Sequence, residues 1–195
     1  MNKDFAFILG NGVTRLEVDC VSLLDKGIVY GCNRIYEEFA PSVLVSTAVG
    51  ISTEIQQSGY SARNVHYTRS VHKIEDSGAN VLPKEFEGYS SGPAALALAS
   101  LSPANYLFLI GMDLKGVNNM INNIYAGTAH YKDKNTDAVF FGNWIDQITA
   151  IIGKHPSKRF MHVNPLDNFT ADEFRKNTNF ETITLSVFKS MINNT

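Results

Sequence analysis

The chain has 195 residues, 44% of them apolar and 18% charged, with a formal net charge of −2. That length and apolar content suit one folded domain with a sizeable core and exclude a disordered chain. The near-neutral balance offers no basic field for nucleic acid, and no apolar run reaches the ~20 residues that span a bilayer.

Apolar runs then alternate with helix-like stretches. The strands predicted in chain order are Phe5–Leu9, Gly27–Tyr30, Ser42–Ser46, Asn64–Thr68, Tyr106–Ile110 and Arg159–Val163. Most are continuous apolar runs, the pattern of strands buried on both faces. The helices predicted between and after them are Arg15–Leu24, Arg34–Glu38, Ile51–Ser58, Pro93–Ser100, Asn143–Ile152 and Thr184–Ile192. Leu16, Cys20, Leu23 and Leu24 fall near one face of the first. Ser91-Gly92-Pro93 is a helix start with proline near the first turn. The alternation predicts βαβ units in a three-layer α/β domain over 1–195, with a mostly parallel sheet.

Two stretches interrupt the rhythm. Residues 69–89 are polar and mixed. Residues 114–140 are long, rich in glycine and asparagine, and short of apolar anchors, which predicts a mobile, lid-like loop. The opening Met1-Asn2-Lys3-Asp4 lacks the pattern of a signal peptide, so the expectation is a cytoplasmic protein with Cys20 and Cys32 as reduced thiols.

The candidate site residues cluster where strands end. In an open parallel sheet, ligands bind outside the carboxyl ends of the strands. Gly10-Asn11-Gly12-Val13-Thr14 follows the first strand; glycine lets backbone approach a ligand, and Thr14 is placed to cap a helix whose free N–H groups suit an anion. The segment is neither a Walker A loop nor a GxGxxG fingerprint, and a tight turn with a capping threonine explains it about as well. Asn33 follows the second strand, where its amide suits a base edge or sugar hydroxyl, or ties down its own turn. Ser90-Ser91-Gly92 opens an alanine-rich helix, as an anion site or an ordinary cap. Gly111-Met112-Asp113 ends the strongest strand; its carboxylate has no second acid nearby to complete a metal site, and no metal is expected. His130-Tyr131 lies in the long loop with Tyr125 and Lys132. A histidine can serve as general base, and tyrosine or lysine can stabilise a departing phosphate. His66, His72, His155 and His162 lack metal-ligand spacing, and Trp144 reads as core.

The ordered set Gly10-Asn11-Gly12-x-Thr14, Cys32-Asn33, Ser91-Gly92, Gly111-x-Asp113 and His130-Tyr131 resembles the bacterial sialyltransferases of the Campylobacter lipooligosaccharide type and their motility-accessory-factor-like relatives. The resemblance implies a Rossmann-like fold and a nucleotide sugar, CMP-linked, as donor substrate, with no obligatory cofactor. It implies that Gly10, Asn11, Gly12, Thr14, Asn33, Ser91, Gly92 and Asp113 hold the nucleotide. It implies His130 as the catalytic base, and Lys115, Tyr125 and Tyr131 beside the phosphate leaving group. The chain departs from the pattern at Val13-Thr14, at Thr47-Ala48 and at Lys115. Three readings follow: a glycosyltransferase-like enzyme, a nucleotide- or nucleotide-sugar-binding protein or hydrolase without transfer, and an interaction protein that keeps the fold only. Each leaves a homo-oligomer open.

Overall fold

The computed structural model describes residues 4–138, 140–164 and 170–193. Met1 to Lys3 of the opening stretch and Val139 of the long loop therefore lie outside the described residues.

Among the described residues, eight strands form one sheet: β1 (Phe5–Leu9), β2 (Ile28–Cys32), β3 (Val43–Val45), β4 (His66–Thr68), β5 (Asn80–Val81), β6 (Tyr106–Ile110), β7 (Arg159–Val163) and β8 (Phe180–Ile183). Their order is β5-β4-β3-β2-β1-β6-β7-β8, and every neighbouring pair is parallel. From β1 the chain steps outward to β5 on one side, then returns to lay β6 on the other side of β1. The segments leaving β1 and β6 thus diverge, which opens a crevice between them. This is a three-layer Rossmann-like α/β fold, as the strand–helix alternation predicts.

The continuous apolar runs follow from burial on both faces. In β1, Ala6 and Ile8 face one core and Phe5, Phe7 and Leu9 the other. The first core lies under α2 (Ser91–Ser100), α3 (Gly142–Lys154) and the short α4 (Asp172–Arg175). The second lies under α1 (Val49–Gln57) and α5 (Leu185–Asn193). Phe7 stacks on Phe108 at 5.4 Å, and Phe188 meets both rings edge-on at 6.1 and 5.2 Å. Helix α2 is buried almost all round because α3 packs on its outer side, and Ala94, Ala95, Ala97 and Ala99 are the small residues this sandwich needs.

Several boundaries differ from expectation. Residues 15–24 form no α-helix but two short 3₁₀ turns, Val13–Glu17 and Ser22–Asp25, separated by extended backbone at Val18. Leu16, one of the supposed face residues, is 69% exposed. The Asp19 carboxylate accepts from Ser22 N at 3.3 Å and starts the second turn, a local bond that competes with a continuous helix. The predicted helix at Arg34–Glu38 is likewise a 3₁₀ turn, Asn33–Glu37, entered through Asn33 at φ +54°. The strands β5 and β8 and helix α4 were not predicted. β5 is a two-residue exposed edge strand, and β8 buries only Phe180 and Ile183 at its ends. Neither presents an apolar run.

Candidate functional site

The crevice between β1 and β6 holds a cavity of about 330 Å³, near the lower end of the range for small-molecule sites. Its floor is the close meeting of two strand ends. Gly10 N donates to Ile110 O at 2.8 Å and Gly12 N to Gly111 O at 2.9 Å. A Cβ on Gly10 would lie 2.4 Å from Gly111 O, so glycine is required there by contact with the opposite strand.

The wall on the β2–β3 side is a polar chain. Ser91 Oγ donates to Asn33 Oδ1 at 2.9 Å and accepts from Thr47 N at 3.0 Å. Its single proton is used on Asn33, so Thr47 Oγ1, also 3.0 Å away, donates to it. Asn33 takes the left-handed backbone, which asparagine tolerates better than most residues. Ser91 is therefore not the helix cap: that position is Ser90, which makes no side-chain capping bond. The Ser90 hydroxyl instead accepts the Trp144 indole N–H at 2.8 Å. The amides of Ser91 and Gly92 in the first turn of α2 have no carbonyl partner within the helix.

The cavity lining also includes Asn11, Lys115, Asn122, Asn123, Tyr131 and Trp144. Lys115 is the only charged side chain in that lining among the described residues. The Asn11 amide oxygen is buried and has no hydrogen-bond partner among the described residues. Burial pushes the Tyr131 hydroxyl up to about 12, so it stays a proton donor at neutral pH; its oxygen accepts from Arg34 N at 3.4 Å. Burial likewise pushes the Cys32 thiol up to about 12, which makes it a packing group rather than a nucleophile. Cys20 and Cys32 are both free thiols.

Of the sequence-predicted residues, Gly10, Asn11, Gly12, Asn33, Ser91, Gly92, Lys115 and Tyr131 line this cavity together. Thr14, Asp113, Tyr125 and His130 do not. Thr14 caps no helix; it sits inside the first 3₁₀ turn, where its hydroxyl donates to Asp113 Oδ1 and its amide to Asp113 Oδ2 at 3.2 Å. Asp113 also accepts from Asn122 Nδ2 at 2.9 Å, so its carboxylate ties the β1 turn to the long loop. Tyr125 lies with Arg15 and Glu38. The Arg15 guanidinium donates to Glu38 at 2.6 Å and to the Tyr125 hydroxyl at 2.9 Å, and the Tyr125 hydroxyl donates to Glu38.

His130 lies outside the cavity, against α1. Its Nε2 is 2.9 Å from Glu54 Oε2. It lines an adjoining cavity of about 300 Å³ that shares Asn122, Asn123, Tyr131, Phe141 and Trp144 with the first. The sequence reading missed Thr47, Asn122, Asn123 and Trp144 as lining residues. Only Thr47 carried a signal, as a polar residue at a strand's carboxyl end.

The loop over 114–140 is anchored by polar bonds, which a count of apolar residues does not register. Ile124 N donates to Asn11 O at 2.9 Å, Val13 N to Asn122 Oδ1 at 2.9 Å, and Arg34 Nη2 to Ala129 O at 3.4 Å. No cluster of three or more histidine, cysteine or acidic residues able to hold a metal occurs among the described residues, and no helix among them is long and apolar enough to cross a membrane. Comparison of the chain with family models, with curated proteins and with solved structures finds no match.

Proposed function

We propose that the β1–β6 cavity binds a nucleotide or nucleotide sugar, and that the chain is a metal-independent, glycosyltransferase-like protein using a CMP-type donor. The observation that carries the binding reading is the buried, unpartnered Asn11 oxygen in the cavity lining. A buried acceptor without a partner costs about 1–3 kcal/mol, which a ligand hydroxyl or amino group relieves. The amides of Ser91 and Gly92, uncapped by the Ser90 side chain, and Lys115 suit the phosphate, and Tyr131 has a proton to offer its leaving oxygen. Asn33 and Thr47 stand where a sugar hydroxyl or base edge would be read.

In the transfer reading, His130 is the base that takes the acceptor proton. A second reading, nucleotide binding without transfer, draws on one observation: His130 is bonded to Glu54 and does not line the nucleotide cavity.

Thermal-shift titration with CMP, CDP, UDP, GDP and their sugars tests the binding reading. A ligand at a hundred times its Kd should stabilise the chain by about 2.7 kcal/mol, and Asn11→Ala should abolish that shift. No shift with any nucleotide sinks both readings. His130→Ala separates them: transfer predicts lost turnover with nucleotide affinity kept.

A further inference from the structure

Helix α1 carries a seat for His130 made of two residues one turn apart, Gly50 and Glu54. Glu54 receives three donors. Tyr36 OH reaches Oε1 at 2.9 Å, Arg34 Nη2 reaches Oε1 at 3.1 Å, and His130 Nε2 lies 2.9 Å from Oε2. Partial burial alone would raise this carboxyl, but the Tyr36 hydroxyl, Arg34 and His130 outweigh it and hold Glu54 below the usual carboxylate range. It is therefore an anion, and it accepts.

The other edge of the imidazole rests on Gly50. A Cβ at that position would lie 2.5 Å from His130 Nδ1 and 3.0 Å from Cε1. Only glycine leaves room for the ring. The ring itself stands on a left-handed residue, His130 at φ +67°, so the loop backbone turns to present it to α1. Gly50 and Glu54 also line a shallow groove with Thr53, Gln57, Ser58 and His130. Thr47 and Ala48, just before α1, line the nucleotide cavity, and Gly50 in the first turn of α1 lines the groove, so residues 47–50 run from one space to the other.

From this geometry we infer that Glu54 and Gly50 are positioning residues for His130: Glu54 accepts Nε2–H and thereby makes Nδ1, which sits beside Gly50 in that groove, the basic nitrogen. An acceptor hydroxyl then approaches from that groove. Its oxygen bonds to the anomeric carbon of the nucleotide sugar. The bond from that carbon to the phosphate oxygen breaks, its electron pair leaves on the nucleotide, and the hydroxyl proton ends on Nδ1. This inference rests on the transfer reading above, in which His130 is the base. A carboxylate that accepts from one ring nitrogen and so fixes the tautomer of a histidine is a general device.

Long-range ¹H–¹⁵N NMR of the histidine rings in the full chain tests it. Wild type should show His130 with the proton on Nε2. Glu54→Ala should turn that signal into a tautomer mixture. Gly50→Ala leaves Glu54 in place and favours the helix, yet should displace the ring with the same result. With a CMP-sugar donor, both variants should lower kcat about 10–100-fold, while the thermal shift given by CMP stays unchanged. Rescue by Glu54→Asp of part of that rate, without a change in melting temperature, would mark positioning rather than stability. A wild-type proton on Nδ1, or variants that leave the tautomer unchanged, overturns the inference alone. Absence of any CMP shift overturns the nucleotide reading and leaves the tautomer result to stand or fall by itself.

Discussion

The β1–β6 centre of the sheet and the loop over 114–140 both border the candidate site, yet opposite forces hold them. At the centre, Phe7, Phe108 and Phe188 are fully buried against one another, and Gly10 and Gly12 meet Ile110 and Gly111 through backbone hydrogen bonds. In the loop, the anchors are side-chain amides, a buried guanidinium and a histidine–carboxylate pair. Apolar burial is non-directional and makes a rigid floor. Polar anchors are directional and individually worth about 0.5–1.5 kcal/mol. The candidate site is therefore bordered by a rigid apolar floor on one side and by a loop held through separate polar bonds on the other.

That contrast can be broken at its strongest point first. Phe108→Ala should cost about 3–5 kcal/mol of stability, read as a drop in the urea midpoint. A loss under 1 kcal/mol would mean the core collapses around the gap and is less rigid than described.

Acid should act on the sheet before it acts on the loop. Burial lowers His66, held between Ser46 and Ser61, to about 4, and lowers His162, beside Thr170, to about 4. In the unfolded chain each titrates near 6.5. The folded state therefore binds fewer protons, and stability is full above pH ~6.5 and falls as pH drops toward 4. The loss should be on the order of 2–3 kcal/mol per histidine. Urea midpoints from pH 7.5 to 4 measure it, and His66→Gln should flatten the curve.

Gly12→Ala sharpens the comparison at the border of the two regions. Its Cβ would lie 2.4 Å from the Asp113 carboxyl carbon and 2.7 Å from Gly111 O. The expected cost is about 1–3 kcal/mol, with the proposed nucleotide binding lost more completely than stability. Calorimetric titration alongside thermal melting separates the two effects.

The smallest effect belongs to the loop. Tyr125→Phe removes the hydroxyl shared by Arg15 and Glu38. Global stability should fall by about 1 kcal/mol, while limited proteolysis within 114–140 accelerates several-fold. Equal protection of mutant and wild-type loops would show that the remaining anchors suffice.

How much was legible varies by element. β1, β6 and β7 match the predicted bounds residue for residue, because burial on both faces writes a five-residue apolar or near-apolar run into the sequence. The edge strands β5 and β8 are half-exposed and leave no such run. The stretch over 15–24 has helical spacing of leucines, but local bonding at Asp19 and exposure of Leu16 show that spacing alone does not supply a face to bury. In the site, Gly10 to Gly12 and Asn33 at strand ends, and Ser91 and Gly92 at the start of α2, were found from sequence, whereas Thr47 after β3 was not. Asn122, Asn123 and Trp144 were not, because they reach the cavity from a loop and a later helix.

The sequence by itself determined the layered parallel sheet and the position of the crevice. Apolar periodicity and strand-end glycines are local properties, and a parallel sheet that reverses its winding must open where it reverses. Only the tertiary structure decided which polar side chains face that crevice. Thr14 and Asp113 are strand-end residues like Asn33, but they satisfy each other across 99 positions of sequence. His130 is bound to Glu54 across 76 positions. A polar group goes to the partner that folding brings within about 3 Å, and no local pattern records which partner that is.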